Sequence, residues 1–476
     1  MGIDGLWKLV QTAADEQRSF TEIATSEGFK NRPALRAYAL GVDASIWIHE
    51  IQQSFVIGHA QAGTNPELRT LLYRLARLLA VSASVVFVFD GPGRPAFKRG
   101  RNVVPADHWL VTDFKDMATA FGFDIHQAPG EAEAELAKMN ELGIIDAILT
   151  EDSDVFVFGA RTVIRSSTYK DNKKKVSVWT SSAILRHSDI KLSLGGLMLI
   201  ALLVGGDYDG NGLPGCGVGI AHALARYYLG DELRMGIETL NRADLPMFMD
   251  AWRRKLRTTL KEDPSGILGR RYPKLAAAIP NTFPNLTIVN LYMRPLTSDF
   301  DDMDVAPQLR FPDVAKLARL CEAHFQWGNK TGILRMFRSN LWSGIILRTL
   351  LEKVIANDCG ECDKVLNALL EFRIKKTFPR SVSVLELWPG TINRVVGSAL
   401  LGVRVVDPES VQKELQASAH FKVNIPTVIL SEACPTQLAL MPSASRRSTG
   451  SGPLWLRRIS GSNTTIQVID LTKDDD

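Results

Sequence analysis

The chain has 476 residues, 45% of them hydrophobic, and a formal net charge of +4. This length allows two or three domains with a large core, and the positive charge suits a polyanionic partner. Five scattered cysteines, an odd number, argue against a disulfide framework. The start lacks a basic region followed by an apolar core, and the most apolar run, 192–206, is too short to span a bilayer. We therefore expect no signal peptide and no membrane segment.

The first 90 residues alternate between strand and helix patterns. Residues 35–43 end as a strand, and residues 44–51 follow as a helix. Residues 66–81 place leucines at helical spacing with arginines between them. Residues 85–90 (VVFVFD) form a continuous apolar run that is typical of a buried strand. Strand, helix and strand in this order predict a parallel α/β sheet.

Acidic residues follow the predicted strands. Asp43 and Asp90 end the first two, and Asp152 and Asp154 come after a short apolar run. We expect that run to be a strand whose alternation places Asp152 and Asp154 on one side. Because ligand sites in open α/β sheets lie outside the carboxyl ends of the strands, we expect all four acids to share a site.

Two further acids follow a Pro-Gly pair that resembles a helix entry. We expect Glu131 on the loop and Glu133 in the first turn. Acids that converge repel one another unless a cation lies between them, and a divalent metal is the simplest such cation. Glu135 continues the pattern, but its spacing to Lys138 predicts a solvated helix face.

Two glycine-containing segments are typical of contacts with a phosphate backbone. Residues 91–101 are rich in turn and basic residues and directly follow Asp90, so we expect them to contact phosphates beside the metals. Residues 212–221 lie between a buried helix at 193–206 and an apolar helix at 221–228. Such a turn exposes backbone groups to a phosphodiester and can hold a monovalent cation.

The last third of the chain contains three segments with different predicted structure. Residues 312–355 are predicted to be helical, residues 372–388 have strand character, and residues 443–462 are predicted to be disordered. Near the end, Val468, Ile469 and Leu471 beside an acidic tail resemble a SUMO-interacting motif. Such a segment adds a strand to its partner's sheet. The alternative is a frayed terminus.

Six motifs together resemble the XPG/flap endonuclease superfamily. They are MGIDGLW at the N-terminus, GVDAS at 41–45, VFVFDG at 86–91, APGEAEAELA at 128–137, TEDSDVFVFG at 150–159 and LVGGDY at 203–208. They occur in the family's order within residues 1–345. The resemblance implies a PIN-like α/β nuclease core with a mainly parallel sheet, a helix-two-turn-helix DNA-binding element and two Mg²⁺ ions per site. Mn²⁺ is the expected substitute, and K⁺ is expected at the helix-two-turn-helix.

The resemblance also implies roles for individual residues. Lys98 matches a basic residue that contacts the scissile phosphate, and Gly2 matches the family's processed N-terminus, which lies close to the site. A second basic residue of the family does not align uniquely, so Arg94, Arg99 and Arg101 all remain candidates. The implied metal-site acids are Asp43, Asp90, Glu131, Glu133, Asp152, Asp154 and Asp207, and the implied backbone-contacting glycines are Gly215, Gly217 and Gly219.

Within the superfamily, the segment between Asp90 and Glu131 indicates the substrate. Flap endonucleases carry a longer arch there, through which a free 5′ end threads. The shorter segment resembles the GEN-type Holliday junction resolvases. We therefore expect a nuclear enzyme of DNA repair and recombination that cuts Holliday junctions and 5′ flaps and leaves 5′-phosphate and 3′-hydroxyl ends. Because a junction needs two symmetric nicks, two copies are expected to assemble on it.

The expected domain organisation has five segments. Residues 1–105 and 106–206 form the two parts of the nuclease core, and residues 207–345 hold the helix-two-turn-helix and the last core helices. Residues 360–430 match the position of the chromodomain-like module of the GEN-type enzymes. Residues 431–476 form a flexible tail.

Three alternatives remain open from the sequence. A flap endonuclease or 5′ exonuclease of the same superfamily would share all these motifs. A haloacid-dehalogenase-type phosphatase would use Asp152 and Asp154 in its DxDx[TV] signature, but it leaves Asp43 and Asp90 without a role. A non-enzymatic junction-binding scaffold would have lost site acids, and none is lost here.

Overall fold

A seven-stranded sheet forms the centre of the part of the chain that the structure describes. The computed structural model describes residues 2–14, 18–32, 35–54, 64–95, 97–98, 101–102, 108–166, 175–301, 305–360, 371–377, 382–388, 390–404 and 421–439. The strands up to residue 180 are β1 (Arg18–Ser19), β2 (Tyr38–Asp43), β3 (Ala83–Phe89), β4 (Phe97–Lys98), β5 (Arg101–Asn102), β6 (Asp124–Gln127), β7 (Ala147–Leu149), β8 (Thr162–Ser166) and β9 (Lys175–Thr180).

Most strands of this sheet are parallel. Their order is β1-β9-β8-β7-β2-β3-β6, and the five strands from β8 to β6 pair in parallel. Only β9 and β1 join antiparallel at one edge, and β4 and β5 form a separate hairpin among the described residues. The mainly parallel α/β fold predicted from the strand and helix patterns is therefore confirmed.

Helices cover both faces of the sheet. In the nuclease region they are α1 (Leu6–Val10), α2 (Phe20–Ile23), α3 (Ala44–Ser54), α4 (Pro66–Leu79), α5 (Leu110–Ala120), α6 (Ala132–Glu141), α7 (Ser181–Arg186), α8 (Leu194–Val204), α9 (Val218–Ala225), α10 (Leu229–Thr239), α11 (Leu245–Glu262), α12 (Pro273–Ala278), α13 (Leu286–Met293), α14 (Val314–His324), α15 (Lys330–Met336) and α16 (Trp342–Asp358). Every residue of β2 and β3 is buried, as parallel strands covered on both faces require.

Alternation along β3 separates two hydrophobic cores. Phe87 and Phe89 point into a core that includes α4, α5 and α16, whereas Val86 and Val88 point into a core that includes α6 and α8. The predicted buried helix at 193–206 is α8. The helix after the glycine-rich turn, α9, begins and ends earlier than the predicted 221–228. No helix in the described part of the chain is long and apolar enough to cross a membrane.

A small antiparallel sheet follows the nuclease region. Its strands β10 (Glu371–Thr377), β11 (Val382–Trp388) and β12 (Phe421–Pro426) lie in that order. Helix α17 (Gly390–Ala399) lies between β11 and β12 in the chain, and α18 (Thr427–Ala433) and α19 (Pro435–Ala439) follow β12. The strand character of 372–388 is thereby confirmed. The unit packs on the nuclease region, where the ring centroid of Phe421 lies 5.6 Å from that of Trp342 in α16. Buried Glu322 of α14 accepts hydrogen bonds from the N–H groups of Leu401 and Gly402, each at 2.8 Å.

Candidate active site

Asp43 and Asp90 lie at adjacent strand ends. β2 and β3 are parallel, with Asp43 opposite Val88, so both strands end at one edge of the sheet. Asp43 Oδ1 accepts hydrogen bonds from the backbone N–H groups of Ser45 at 2.8 Å and Ile46 at 3.1 Å, and so caps α3. Ser45 Oγ donates to Asp90 Oδ2 at 2.9 Å and links the two carboxylates.

Glu131 and Glu133 reach the same edge from the start of α6. Glu131 is the residue before the helix, and Glu133 lies in its first turn, as the Pro-Gly pair predicts. The Ala132 N–H donates to Asp90 Oδ1 at 2.9 Å, which holds the start of α6 against the end of β3. Helix and strand therefore position their acids together.

Asp152 and Asp154 lie in a turn. Strand β7 ends at Leu149, so the expectation that strand alternation places both acids on one side is wrong. Instead, the Asp154 N–H donates to Asp152 Oδ1 at 3.0 Å where a single 3₁₀ turn begins. The Ile3 N–H donates to Asp154 Oδ1 at 2.9 Å and joins the N-terminus to this turn.

Gly2 lies directly against the two aspartates. Its φ of +90° is a conformation that side chains rarely adopt, and a Cβ atom there would overlap Ser153 Oγ and Asp152 Oδ1. Only glycine fits this close approach without displacing the acids.

Lys98 contacts three acids from different elements. Its Nζ forms an ion pair with Glu131 and lies 3.0 Å from Asp207 Oδ2 and 3.7 Å from Glu133 Oε1. Asp207 comes from the loop after α8, so the cluster draws on β2, β3, α6, the 152–154 turn and this loop. Together these elements assemble the seven acids and the lysine that the sequence singled out.

Burial makes this concentration of negative charge unfavourable. Six of the seven acids are at most 9% exposed, and Asp90 is partly exposed. Burial, with repulsion from Asp90 and Asp152, raises the pKa of Asp43 to about 8. Burial also raises the pKa of Glu133 well above its ordinary value, and Asp43, Asp90 and Glu131 add repulsion that Lys98 opposes. Burial alone would lower the pKa of Lys98, but Glu133, Glu131 and Asp207 together raise it.

Two tyrosines lie next to the acids, and neither was predicted from the sequence to be part of the site. Tyr208 OH donates a hydrogen bond to Glu131 Oε2, and its ring lies 4.8 Å from the ring of Tyr292. The buried Tyr292 hydroxyl has no hydrogen-bond partner among the described residues. Burial, with Asp154, Asp207 and Glu131, raises the pKa of Tyr292. Tyr208 follows Asp207 in LVGGDY and was within reach of motif reasoning, whereas nothing around Tyr292 in the sequence indicates the site.

Glu135 is not on a solvated face, so that expectation is wrong. It is 0% exposed, its Oε1 lies 2.6 Å from His126 Nε2, and its Oε2 accepts the Ser298 N–H at 2.9 Å. Lys138 pairs with Glu141 at 3.0 Å instead. Glu135 therefore links α6 to β6 and to the chain after α13.

The candidate DNA-contacting residues are placed only in part. Arg94 Nη1 lies 3.5 Å from Asp90 Oδ2, at the edge of the acid cluster. Arg99 and the side chain of Arg101 lie outside the described residues. Gly215, Gly217 and Gly219 are exposed in the turn before and at the start of α9, and a Cβ atom on Gly217 or Gly219 would meet open space. Asp209 is a loop residue, with Oδ1 accepting the Asn211 N–H at 3.1 Å.

The donor chemistry of the cluster fits a hard divalent cation. Carboxylate oxygens are the preferred ligands of Mg²⁺, and buried carboxylates of raised pKa favour a cation among them. In this arrangement Lys98 supplies positive charge, and no three His, Cys, Asp or Glu side chains of the described residues converge as closely as a metal site requires.

Two family models match the chain. The XPG N-terminal domain covers residues 1–103, and the XPG I-region covers residues 122–207, which together contain all seven acids. The chain thus contains regions similar to both conserved nuclease regions of the XPG family.

Curated proteins are similar to about half of the chain. The chain is 28% identical over 252 residues to "Flap endonuclease GEN homolog 1" of Mus musculus, a match that spans 49% of this chain and 26% of the relative. It is 30% identical over 262 residues to "Flap endonuclease GEN-like 1" of Arabidopsis thaliana, across 49% of this chain and 40% of the relative. The matched segment thus spans less than half of each of these relatives.

Solved structures share the fold of the chain. The chain superimposes on a Holliday junction-resolving enzyme GEN1 in complex with product DNA and Mg²⁺ with a TM-score of 0.68 and 26% identity, covering 92% of this chain and 98% of that one. A eukaryotic junction-resolving enzyme GEN-1 with bound cesium gives a TM-score of 0.68 and 27% identity with the same coverage. The similarity therefore extends beyond the two segments that the XPG models match.

Proposed function

We propose that the chain is a Mg²⁺-dependent, structure-specific DNA endonuclease that resolves Holliday junctions and also cuts 5′ flaps. The observation that carries this proposal is the buried cluster of seven acids, with Lys98 among them, at the carboxyl edge of the parallel sheet. The structural relative that holds product DNA and Mg²⁺ supports the same chemistry.

In this proposal the acids form two overlapping metal-binding groups. Asp43, Asp90 and Glu133 serve a first ion, and Asp152, Asp154 and Glu133 serve a second, with Glu131 and Asp207 acting directly or through water. Two bound Mg²⁺ ions would supply the positive charge that ionises the attacking water and stabilises the leaving 3′ oxygen. Mn²⁺ is the proposed substitute.

Lys98 has a second role in this proposal. Its ammonium offsets negative charge that develops on the phosphate in the transition state. Lys98 also forms ion pairs with Glu131 and Asp207, so its charge lies among the proposed metal ligands.

DNA contacts surround the cluster. Exposed Gly215, Gly217 and Gly219 offer backbone groups to a phosphodiester on a helix-two-turn-helix formed by α8 and α9, where K⁺ is the proposed monovalent ion. Arg94 lies near Asp90, and Gly2 lies against Asp152 and Asp154. Arg99 and Arg101 remain candidates for the second phosphate-contacting cation.

The wider organisation belongs to the same proposal. Residues 1–105, 106–206 and 207–345 form the nuclease, and 360–430 form a chromodomain-like module to which β10, β11 and β12 belong. Two copies assemble on one junction, and the protein acts in the nucleus. The SUMO-interacting motif at Val468, Ile469 and Leu471 lies outside the described residues. The expected flexible tail, 431–476, does not hold for its first residues, because residues 431–433 and 435–439 belong to α18 and α19 and Ala433 and Cys434 are buried.

A panel of three substrates tests the proposal. The purified chain is incubated, with Mg²⁺ or with EDTA, with a labelled Holliday junction, a labelled 5′ flap and a small phosphate ester. We expect Mg²⁺-dependent cutting of the junction and the flap and no hydrolysis of the ester. Hydrolysis of the ester alone would indicate a phosphatase. Junction binding without any cutting would indicate a scaffold.

A further inference from the structure

One segment of the nuclease region is strongly basic. Residues 253–274 contain eight Lys or Arg and two Asp or Glu, a net charge of +6, whereas the whole chain carries +4. The rest of the chain is therefore slightly acidic. A polyanion is therefore attracted to α11, α12 and the loop between them.

Helix α11 presents part of this charge on its outer face. Trp252, Leu256 and Leu260 face the core, whereas Arg254 and Lys261 are exposed. Lys261 lies seven positions after Arg254, so both lie on one side of the helix, about 10 Å apart.

The chain after α11 folds back along this helix. The Tyr272 N–H donates to the Leu260 carbonyl at 2.7 Å, and Arg257 Nη2 donates to the Ile279 carbonyl at 2.8 Å. Residues 272–279 therefore run antiparallel to α11. This path places exposed Arg270, Arg271 and Lys274 beside the end of α11 that carries Lys261.

The loop between α11 and α12 is held in place by Asp263. Its Oδ1 accepts hydrogen bonds from Tyr227 OH at 2.5 Å and the Leu268 N–H at 3.0 Å, and Tyr227 OH accepts the Ser265 N–H at 3.0 Å. The Asp263 carboxylate is thus engaged by neutral donors. Tyr227 ties the loop to the C-terminal end of α9, whose other end carries the exposed Gly217.

Pairing distinguishes these cations from their neighbours. Arg234, Arg253 and Lys255 each form an ion pair, with Glu238, Asp250 and Glu232. Among the described residues, no acid forms an ion pair with any of the five cations that we name the α11–α12 surface: Arg254, Lys261, Arg270, Arg271 and Lys274.

We propose that the α11–α12 surface binds the phosphate backbone of one duplex arm of the branched DNA. This inference rests on the proposed nuclease function and extends the DNA path from the glycine-rich turn along α9. Duplex DNA carries one charge per about 1.7 Å of its axis, so the spacing of Arg254 and Lys261 spans several phosphates. The sequence of the DNA arm is not read by such contacts.

The test compares two triple variants that remove equal charge. The first carries Arg270→Gln, Arg271→Gln and Lys274→Gln. The control carries Lys30→Gln, Arg186→Gln and Arg319→Gln, three exposed positions outside the segment. Binding to a fluorescent four-way junction in EDTA is measured by anisotropy over a series of salt concentrations, with thermal melting to confirm that both variants are folded.

We expect the first variant to bind about tenfold more weakly near physiological salt, and the slope of log K against log salt to fall by about 2–3, as expected when three phosphate contacts are lost. The control should keep the wild-type slope. Equal slopes for the two variants would overturn the inference, as would an unchanged affinity of the first variant for the junction. Wild-type cleavage of the junction, measured in parallel, reports on the nuclease proposal separately.

Discussion

Lys98 Nζ lies 3.0 Å from Asp207 Oδ2, although 108 residues separate them in the chain and their elements meet only at the edge of the sheet. This ion pair, with those to Glu131 and Glu133, places the positive charge of Lys98 among buried carboxylates. The lysine is therefore both a proposed participant in catalysis and a stabilising charge in the metal-free protein.

Replacing Lys98 by Met tests this second role. Met keeps an unbranched side chain only one heavy atom shorter than Lys. The substitution removes the ammonium group that contacts Glu131, Glu133 and Asp207. We expect the metal-free protein to lose about 3–5 kcal/mol of unfolding free energy, because a buried ion pair broken on one side leaves uncompensated charge. Urea unfolding in EDTA measures the loss, and added Mg²⁺ should recover part of it. A Lys98→Met protein as stable as wild type in EDTA would contradict this account.

The two neighbouring tyrosines should respond in opposite ways to loss of their hydroxyl groups. Tyr208→Phe removes a donor to buried Glu131 and should cost about 1–3 kcal/mol. Tyr292→Phe removes a buried hydroxyl that has no partner among the described residues, so stability should stay the same or rise. Thermal melting in EDTA compares the two variants directly. Equal losses from both would mean that Tyr292 makes a hydrogen bond of similar value.

The sequence predicted the strand ends well and the interior of α6 poorly. β2 and β3 are continuous runs of β-formers, so Asp43 and Asp90 could be placed at the edge of a parallel sheet. Glu135 was misplaced because its spacing fits a solvated helical face. Its burial depends on His126 in β6 and on Ser298, 163 residues away in the chain, and helical spacing carries no information about either.

The corrected position of Glu135 gives a matched pair of variants. Glu135→Ala leaves His126 and the Ser298 N–H without a buried partner, and we expect a loss of about 3–5 kcal/mol. Glu141→Ala removes an exposed acid that pairs with Lys138 on the same helix, and a change below about 0.5 kcal/mol is expected. Chemical denaturation at neutral pH measures both. Similar small effects would restore the solvated-face interpretation of Glu135.

Other parts of the site lay beyond pattern reasoning for different reasons. The 152–154 turn resembles the end of a strand in sequence, but β7 stops at Leu149 and the Ile3 N–H supports the turn from the N-terminus. The basic composition of residues 253–274 can be read directly from the sequence. It was missed because the net charge of the whole chain averages it with an acidic remainder.

His222 gives the protein a predicted loss of stability in acid. Burial and the nearby Arg226 lower its pKa from 6.5, while a 2.7 Å hydrogen bond from Nε2 to the Ile190 carbonyl opposes the shift. The unfolded chain therefore binds more protons than the folded one below about pH 6.5, and stability falls as pH decreases through this window.

Replacing His222 by Gln removes this titration and keeps an amide donor for Ile190. The unfolding free energy of the Gln variant should decrease less between pH 7.5 and pH 5.5 than that of wild type. His49→Gln, at an exposed position, serves as the control and should follow the wild-type curve. A His222→Gln protein with an unchanged pH dependence would exclude His222 as the group responsible.

The most direct test of the central claim uses a supercoiled plasmid that extrudes a cruciform. In Mg²⁺, wild-type protein in excess is expected to convert the plasmid to linear product, because two copies nick opposite strands within one complex. Asp154→Asn should bind the cruciform but leave the plasmid supercoiled, whereas Asp209→Asn, a loop acid close in sequence to Asp207, should linearise it like wild type. Linear product from Asp154→Asn, or a wild-type protein that leaves the cruciform intact, would contradict the assignment of the acid cluster as the active site of a junction-resolving nuclease.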